Sequence, residues 1–347
     1  MGGALYQGPS RSYNRRESRA VVPSQDIDLA VSVLRAGKLV AFPTETVYGL
    51  GADAESVAAV TRVFEVKRRP ADHPLIVHIA SAAELPRWAA DVPEAARRLA
   101  DACWPGPLTL LLRKAASVPN ATTGGLDSVG LRVPAHPVAL ELLHRFGGAI
   151  AAPSANRFGR VSPTSAAHVR ADLGADVELV LDGGPCAIGV ESTILDLTRD
   201  VPVLLRPGGV TIERIEGLLQ VPVSRHAPNE IRAPGMLASH YAPRARVELV
   251  DEDALASRAA TLTATGQRVA ILLRGTGARP ALEAGPHLRL LELGANDEAA
   301  AQHLYAALRE ADVGGADVVL ATRPGARGLG EALADRLAKA AGPREHG

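Results

Sequence analysis

Lys67-Arg68-Arg69-Pro70 stands just ahead of an apolar run, Pro74 to Ile79, that carries His78. Only four of the chain's 38 Lys and Arg residues are lysine (Lys38, Lys67, Lys114 and Lys339), so a lysine flanked by arginines is an uncommon placement. Lysine supplies a point charge and arginine a planar fork, and the two together suit phosphate oxygens. Cations at a helix end also complement the helix dipole with no ligand at all, and His78 in an apolar strand also reads as a hydrogen-bonded core residue. Further segments put polar side chains where strands end. PTETVYGLGADA (43–54) sets Thr44 and Thr46 on one side of an extended segment by the period of two. Gly49 and Gly51 follow in a loop or tight turn, where they let the backbone approach something closely. VGLRVP (129–134) places Arg132 within an apolar strand, where a guanidinium needs an anionic partner. APSANRFGRVSPT (152–164) carries Ser154 and Asn156 two apart at a strand end, while GVESTILDL (189–197) and LLRPG (204–208) interrupt strands with Ser192 and Arg206. Each alone is ordinary turn chemistry. Together they are cations, short hydroxyls and an amide, the inventory for holding a nucleotide and an amino acid.

Other chemistries lack their residues. There is no GxxxxGK[ST] loop and no GxGxxG after a strand, since RGTGARP (274–280) and GLGEAL (328–333) lack the third glycine. No HExxH occurs and the ten histidines are scattered, so no protein-built metal site is expected. There is no GxSxG elbow, and Cys103 falls inside an amphipathic helix, which favours burial over nucleophilic work. Cys103 and Cys186 show no CxxC spacing, which fits a reducing, cytoplasmic setting. No apolar run approaches the roughly 20 residues that span a bilayer. Formal net charge is zero. Residues 21–220 hold 19 Lys and Arg against 22 Asp and Glu, a balance of −3, so an anion site must be a local convergence of cations rather than a basic field.

The elements that position these residues follow from periodicity. KLVAF (38–42), PLIVHI (74–79), PLTLLL, VGLRV, AIAAP, VELVL, STILDL and PVLLR read as strands. ESVAAVTRVFEV (55–66), PEAARRLADACW and PVALELLHRF read as helices, the last ended by Gly147. Another helix follows Ser162-Pro163-Thr164. Ser81 and Glu84 stand at capping-box spacing, which predicts a helix start, and 119–128 reads as a loop. Residues 1–20 have no apolar h-region and are expected as a flexible leader. Residues 21–220 form an α/β domain around one large sheet. A Pro-rich linker over 221–244 follows, then a small α/β layer over 245–347.

In order, PTETVYGLG, KRRPADHPLIVHI, WPGPLTLLL, VGLRVPAHP, APSANRFGRVSPT, GVESTILDL and LLRPGG closely resemble the YrdC-like family, over about residues 23 to 345. PGM (234–236), HYAP (240–243) and the extra domain resemble its two-domain members, the L-threonylcarbamoyladenylate synthases. The resemblance implies a YrdC-like domain with a large mixed twisted sheet and helices, plus a smaller Rossmann-like α/β domain. It also implies conversion of L-threonine, bicarbonate or CO2, and ATP into threonylcarbamoyl-AMP and pyrophosphate, for threonylcarbamoyladenosine modification of tRNA. Residue by residue, Lys67 and Arg69 match a KxR pair that grips the triphosphate, with Arg68 facing solvent. Thr46, His78, Arg132, Ser154 and Ser192 match threonine-side positions, Arg132 being the partner for the carboxylate. Asn156, His73 and Arg206 match nucleotide-side positions, although family members often carry Asn in place of His73. Tyr241, with His240, matches a lid over the entrance. Mg2+ is expected with ATP, and a downstream threonylcarbamoyl transferase machinery as recipient. Two rival readings remain. Hydrogenase-maturation carbamoyl transferases add zinc motifs and a further module, against which the two cysteines and the short leader speak. An RNA-binding module without catalysis is the other, and the −3 balance leaves tRNA as a weak partner at most.

Overall fold

The computed structural model describes residues 22–225, 234, 240–275 and 284–343. The expected leader, 1–20, and linker residues 226–233 and 235–239 lie outside the described residues.

Chain order begins with α1 (Ser24–Arg35), a helix that the sequence reading passes over, which buries Ile27, Ala30, Val31 and Leu34. β1 (Val40–Phe42) follows. The expected loop over 43–54 is a strand in its second half: β2 (Gly49–Asp53) pairs antiparallel with β1, Gly51 opposite Val40. A Cβ at Gly51 would stand 2.8 Å from both the Phe42 ring and Ile150. What approaches that glycine closely is the sheet's own packing.

α2 (Val57–Lys67) is capped by the Ser56 hydroxyl, which accepts from the Ala59 N–H at 3.3 Å, and buries Ala59, Val60, Val63 and Phe64. It stops at Arg68, whose backbone is left-handed with φ 53°, a conformation costing an L-residue roughly 1–2 kcal/mol. That single twist sends Arg68 to solvent and turns Lys67 and Arg69 inward, where both are buried.

β3 (Ile76–His78) leads to the capping box at Ser81 and Glu84, which forms. The helix begun there is a 3-10 turn plus one turn, α3 (Leu85–Trp88), after which Ala89 is extended and bridges to Lys114. The rest of the first sheet is α4 (Glu94–Cys103), β4 (Leu108–Arg113), α5 (Asn120–Thr123) within the expected loop, β5 (Ser128–Arg132), α6 (Pro137–Phe146) and β6 (Ile150–Ala151). Then come α7 (Ala166–Leu173), β7 (Leu179–Val180), β8 (Thr193–Asp196), β9 (Val203–Arg206) and α8 (Ile212–Leu219). The nine strands run β7-β1-β2-β6-β3-β5-β4-β8-β9 in a mixed sheet.

The strands alternate between faces. Leu39, Ala41, Leu50, Val77, Leu110, Leu131 and Leu195 pack with the buried residues of α2, α4 and α8. On the other face α1 and α6 cover Val40, Phe42 and Ile150. They do not cover the half of that face beyond β6. There Ile76, Leu111, Ile194, Val203 and Leu205 form a patch built from strands alone. The register carries His78, Arg132, Thr109 and Ser192 onto this same side, with Arg132 opposite His78 and Ile194 opposite Thr109. A register shift between β8 and β9 sets Arg206 opposite Ile194. The extra residue of that bulge turns Arg206 toward the patch as well.

The second sheet holds β10 (Arg246–Val250), β11 (Val269–Arg274), β12 (Leu288–Gly294) and β13 (Val318–Thr322), with α9 (Leu255–Ala264), α10 (Asp297–Val313) and α11 (Leu329–Ala340). Its order, β10-β13-β11-β12, is parallel throughout, and apolar β11 and β13 suit burial on both faces. α9 covers one face. On the other, Leu304, Leu308, Leu333 and Leu337 of α10 and α11 share a core with Val47, Val161 and Val190 of the first domain and with Tyr241. Arg309 of α10 adds two bonds to Asp172 of α7, at 2.9 and 2.6 Å. A core common to both sheets predicts one calorimetric melting transition for the full chain. Leu304→Ala should lower the stability of that whole transition by about 2–5 kcal/mol; two resolved transitions, only one of them shifted, would show separate cores.

Candidate active site

The open half of the sheet is the floor of a cavity. Thr44, Thr46, Val47 and Gly49 form one wall, Ile76, His78 and Arg132 the base, and Arg69, Ser154, Glu191, Ser192 and Arg206 the surround; Pro234, His240 and Tyr241 complete it. Its free volume is about 50 Å³, enough for a few waters and too little for a nucleotide.

The period of two does place Thr44 and Thr46 together, their hydroxyls 2.8 Å apart and buried. Thr44 Oγ1 donates to the Val47 carbonyl at 2.6 Å and accepts from the Thr46 and Val47 N–H groups, which fixes the turn. Ser192 Oγ meets Thr109 Oγ1 at 2.8 Å and accepts from Arg206 Nη2 at 3.1 Å. His78 is buried edge-on to Phe42, its Nδ1 without a partner. Burial, and then Arg132, hold its pKa down at about 3, so the ring is neutral at physiological pH.

Arg132 has the anionic partner that its burial demands, and it is a residue the sequence reading did not single out. Its Nη2 lies 2.7 Å from Glu45 Oε1, out of line for a hydrogen bond, so both atoms keep unmet bonding directions. Arg132 Nε donates to the Gly106 carbonyl at 3.2 Å, and Glu45 Oε2 accepts from the Ala135 N–H at 3.0 Å. A ligand carboxylate therefore has to share this guanidinium with Glu45.

The other cations have no such partner. Lys67 Nζ donates to the carbonyls of Ser154 and Asn156; burial, then Arg69, lower its pKa well below the usual lysine range. Arg69 Nη2 donates to the Pro74 carbonyl at 3.0 Å, Nε is buried without a partner, and the guanidinium lies 5.6 Å from the centre of the Phe158 ring. Burial brings its pKa down to about 10. Arg206 donates to the Ser192 carbonyl at 3.0 Å and the Pro234 carbonyl at 3.1 Å. Among the described residues no carboxylate lies within ion-pairing distance of these three. Burying charge in this way is unfavourable unless an anion arrives.

The remaining carboxylate, Glu191, is committed elsewhere. Its Oε1 accepts from Ser162 Oγ at 2.6 Å, and its Oε2 from Tyr305 Oη at 2.8 Å and Arg336 Nε at 2.7 Å. Burial pushes its pKa up, but Arg336 and then Arg206 outweigh it and hold the carboxyl at about 2. Tyr241 is left-handed at φ 60°. Its ring stacks on Tyr305 at 5.7 Å and lies 5.1 Å from the Arg336 guanidinium, and its hydroxyl is buried without a partner.

Of the residues expected from sequence, Thr46, Arg69, His78, Arg132, Ser154, Ser192, Arg206 and Tyr241 line one cavity. Lys67 and Asn156 stand a layer behind the wall; Asn156 Nδ2 donates to the Arg157 and Arg160 carbonyls at 2.8 Å each, and its Oδ1 is buried and unpaired. His73 is not part of the wall and rests edge-on against Phe158, ring centres 5.4 Å apart. Glu45, Glu191 and Arg336 were missed. For Glu45 the signal was available: it is the acid inside the Thr44–Thr46 segment, and Arg132 required an anion.

A mixed sheet with buried cations on and around its open half, joined to a small parallel-sheet domain, defines a two-domain α/β protein. A Sua5/YciO/YrdC family model, described as "Telomere recombination", matches residues 32–208, and one described as "Threonylcarbamoyl-AMP synthase, C-terminal domain" matches 210–342. The threonylcarbamoyl-AMP synthase of Pyrococcus abyssi is 46% identical over 92% of this chain and 94% of its own length. That of Bacillus subtilis is 42% identical over 91% and 92%. The crystal structure of P. abyssi Sua5 complexed with L-threonine superposes with a TM-score of 0.83 at 44% identity, covering 91% of this chain and 94% of that one. The chain belongs to the threonylcarbamoyl-AMP synthase family of enzymes. No helix among the described residues is long and apolar enough to cross a membrane.

The buried histidines carry a pH prediction. His78 and His240 are held at about 3 by burial, whereas the unfolded chain binds a proton near pH 6.5. Below that pH the unfolded state takes up protons that the folded state refuses. Stability should therefore fall as pH drops from about 6.5 toward 4, by up to about 1.4 kcal/mol per pH unit for each histidine. Denaturant titrations across this range should show a shallower slope for His78→Asn; an unchanged slope would mean that His78 is protonated in the fold.

Proposed function

We propose that this enzyme is an L-threonylcarbamoyladenylate synthase that joins L-threonine, ATP and bicarbonate or CO2 into threonylcarbamoyl-AMP and pyrophosphate, with a water released where bicarbonate is the carbon source. The observation that carries this reading is the set of buried cations without a carboxylate, Lys67, Arg69 and Arg206, beside a pocket of hydroxyls, a neutral histidine and Arg132. The first group suits a triphosphate. The second suits a small amino acid.

The chemistry needs no protein nucleophile. The threonine amine adds to the carbon of CO2 and loses a proton, giving a carbamate. A carbamate oxygen then attacks the α-phosphorus, and the bond to the pyrophosphate oxygen breaks. The protein's part is to position the reactants and neutralise charge. Arg132 holds the threonine carboxylate through the direction that Glu45 leaves open, and Thr46, His78, Ser154 and Ser192 orient the rest of the amino acid. Lys67 spends two of its three donors on carbonyls and keeps one for a phosphate oxygen. Arg69 contributes an unpaired Nε, and Asn156 its free Oδ1; with Arg206, and with His73 at the periphery, they complete the nucleotide side. Magnesium would come with ATP and would supply charge neutralisation at its phosphates. Glu191 on the cavity wall and Glu45 beside Arg132 are both engaged by arginines, so the chain's contribution complements the phosphates rather than the ion. His240 and Tyr241, which line the cavity, act as a lid that excludes water from bound ATP. The adenylate then passes to a threonylcarbamoyl transferase machinery acting on tRNA, within the cytoplasm.

Pyrophosphate release from ATP and Mg2+ should require both L-threonine and bicarbonate, and Lys67→Ala or Arg69→Ala should lower it by on the order of a hundredfold or more with the fold intact by circular dichroism. ATP binding without release, alongside tight salt-sensitive tRNA binding, would favour the RNA-binding reading instead. Arg132→Ala should raise KM for threonine far more than KM for ATP; equal effects would contradict a carboxylate role.

A further inference from the structure

One carboxylate, Glu191, lines the cavity and a second, Glu45, stands beside Arg132, and what each is paired with decides which cations remain open. Glu45 belongs to Arg132. Glu191 immediately precedes Ser192, whose carbonyl and hydroxyl anchor Arg206. Glu191 and Arg206 are therefore close neighbours, and after Arg336 it is Arg206 that most favours the ionised carboxyl. Left alone, a buried carboxylate beside a buried guanidinium closes into an ion pair, and Arg206 would then present no free charge to a phosphate.

What prevents this comes from the other domain. Arg336, on α11, is 1% exposed. Its Nε takes Glu191 Oε2 at 2.7 Å, its Nη2 takes the carbonyl of Pro207 at 3.0 Å, and its Nη1 takes Asp335. It thus grips the carboxylate that competes for Arg206 and also the residue that follows Arg206 in the chain. Ser162 and Tyr305 hold the same carboxylate from two further directions.

We propose that Arg336 is a positioning residue for the nucleotide end of the cavity: by occupying Glu191 it keeps Arg206 free of a protein carboxylate and open to an ATP phosphate. The role rests on the synthase reading. It gives the C-terminal domain a part in substrate affinity that requires no ligand of its own. Arg132, already partnered by Glu45, lies outside this effect, which reaches the threonine side only through the bond between Arg206 and Ser192.

The test is calorimetric titration of the full-length chain with Mg-ATP and, separately, with L-threonine. Arg336→Met should weaken ATP binding by on the order of tenfold and change threonine binding by about twofold or less. The double variant Arg336→Met/Glu191→Gln, which removes the freed negative charge, should recover most of the ATP affinity. If Arg336 merely docked the domain, the single variant would weaken both ligands and the second change would rescue neither. Should Arg336→Met fail to fold, Arg336→Lys, alone and combined with Glu191→Gln, carries the comparison: the retained cation should keep ATP binding near wild type, and a tenfold loss would overturn the role. A wild-type chain that binds no ATP would sink the synthase reading and this one with it. A wild-type chain that binds ATP, with Arg336→Met binding it equally well or the double variant as weak as the single, would overturn the role of Arg336 alone.

Discussion

A buried cation without a counter-ion costs several kcal/mol even after the surroundings relax, and among the described residues three have no carboxylate within ion-pairing distance, Arg69 and Arg206 on the cavity wall and Lys67 behind it. Lys67, Arg69 and Arg206 are held by backbone carbonyls and ring faces. Such partners lessen the penalty but leave the charge uncompensated. The two nearby carboxylates are tied to other arginines. In the synthase reading the arrangement is an unfavourable free state that the phosphate oxygens of ATP relieve.

Holding cations in that state calls for backbone that ordinary elements do not provide. Among the described residues three non-glycine residues have left-handed backbone; Tyr241 lines the cavity, and Arg68 immediately precedes Arg69, which does. Arg68 accepts the strain at the end of α2 so that its two neighbours point inward together. Tyr241 accepts it with its ring against Tyr305 and Arg336. Strain of this kind persists only where surrounding packing over-determines it, and here the packing comes from both domains at once. The bulge that turns Arg206 onto the open face is a third such device, at the sheet's edge, where bulges are common.

Local pattern carried much of this. The paired threonines and the anion that Arg132 demands follow from spacing and the cost of burying charge, whereas the inward Lys67 and Arg69 with Arg68 between them followed from the family resemblance. Most strands and helices follow from periodicity. β2 did not, because two glycines in five residues imitate a loop, and their reason lies in Phe42 and Ile150, which reach the same place from other strands. The capping box at Ser81 was real, yet the helix it announced lasts one turn. Glu191 is the instructive omission. It sits in a quoted motif one place before Ser192, but its partner Arg336 is 145 residues away, and no local rule joins α11 to that strand end.

The same separation bears on why a second domain is present at all. Among the described residues no group of three His, Cys, Asp or Glu side chains is placed to hold a metal ion, and what the C-terminal domain demonstrably brings to the cavity is Arg336, Tyr305 and the packing under Tyr241. Its core runs without a break into that of the first domain through Val47, Val161 and Val190. Val47 lines the cavity, and Val190 precedes Glu191. A shift of α10 or α11 would therefore be felt at once in the Thr44 turn, at Glu191 and at Tyr241, because close-packed interiors transmit displacement rather than absorb it. In the synthase reading this couples two events that a one-domain protein would leave separate. When ATP displaces the segment carrying Tyr241, it removes a ring from the face of Arg336, and the same guanidinium holds Glu191 away from Arg206. Nucleotide entry and the state of the phosphate-facing cation are thus linked through one side chain of the second domain.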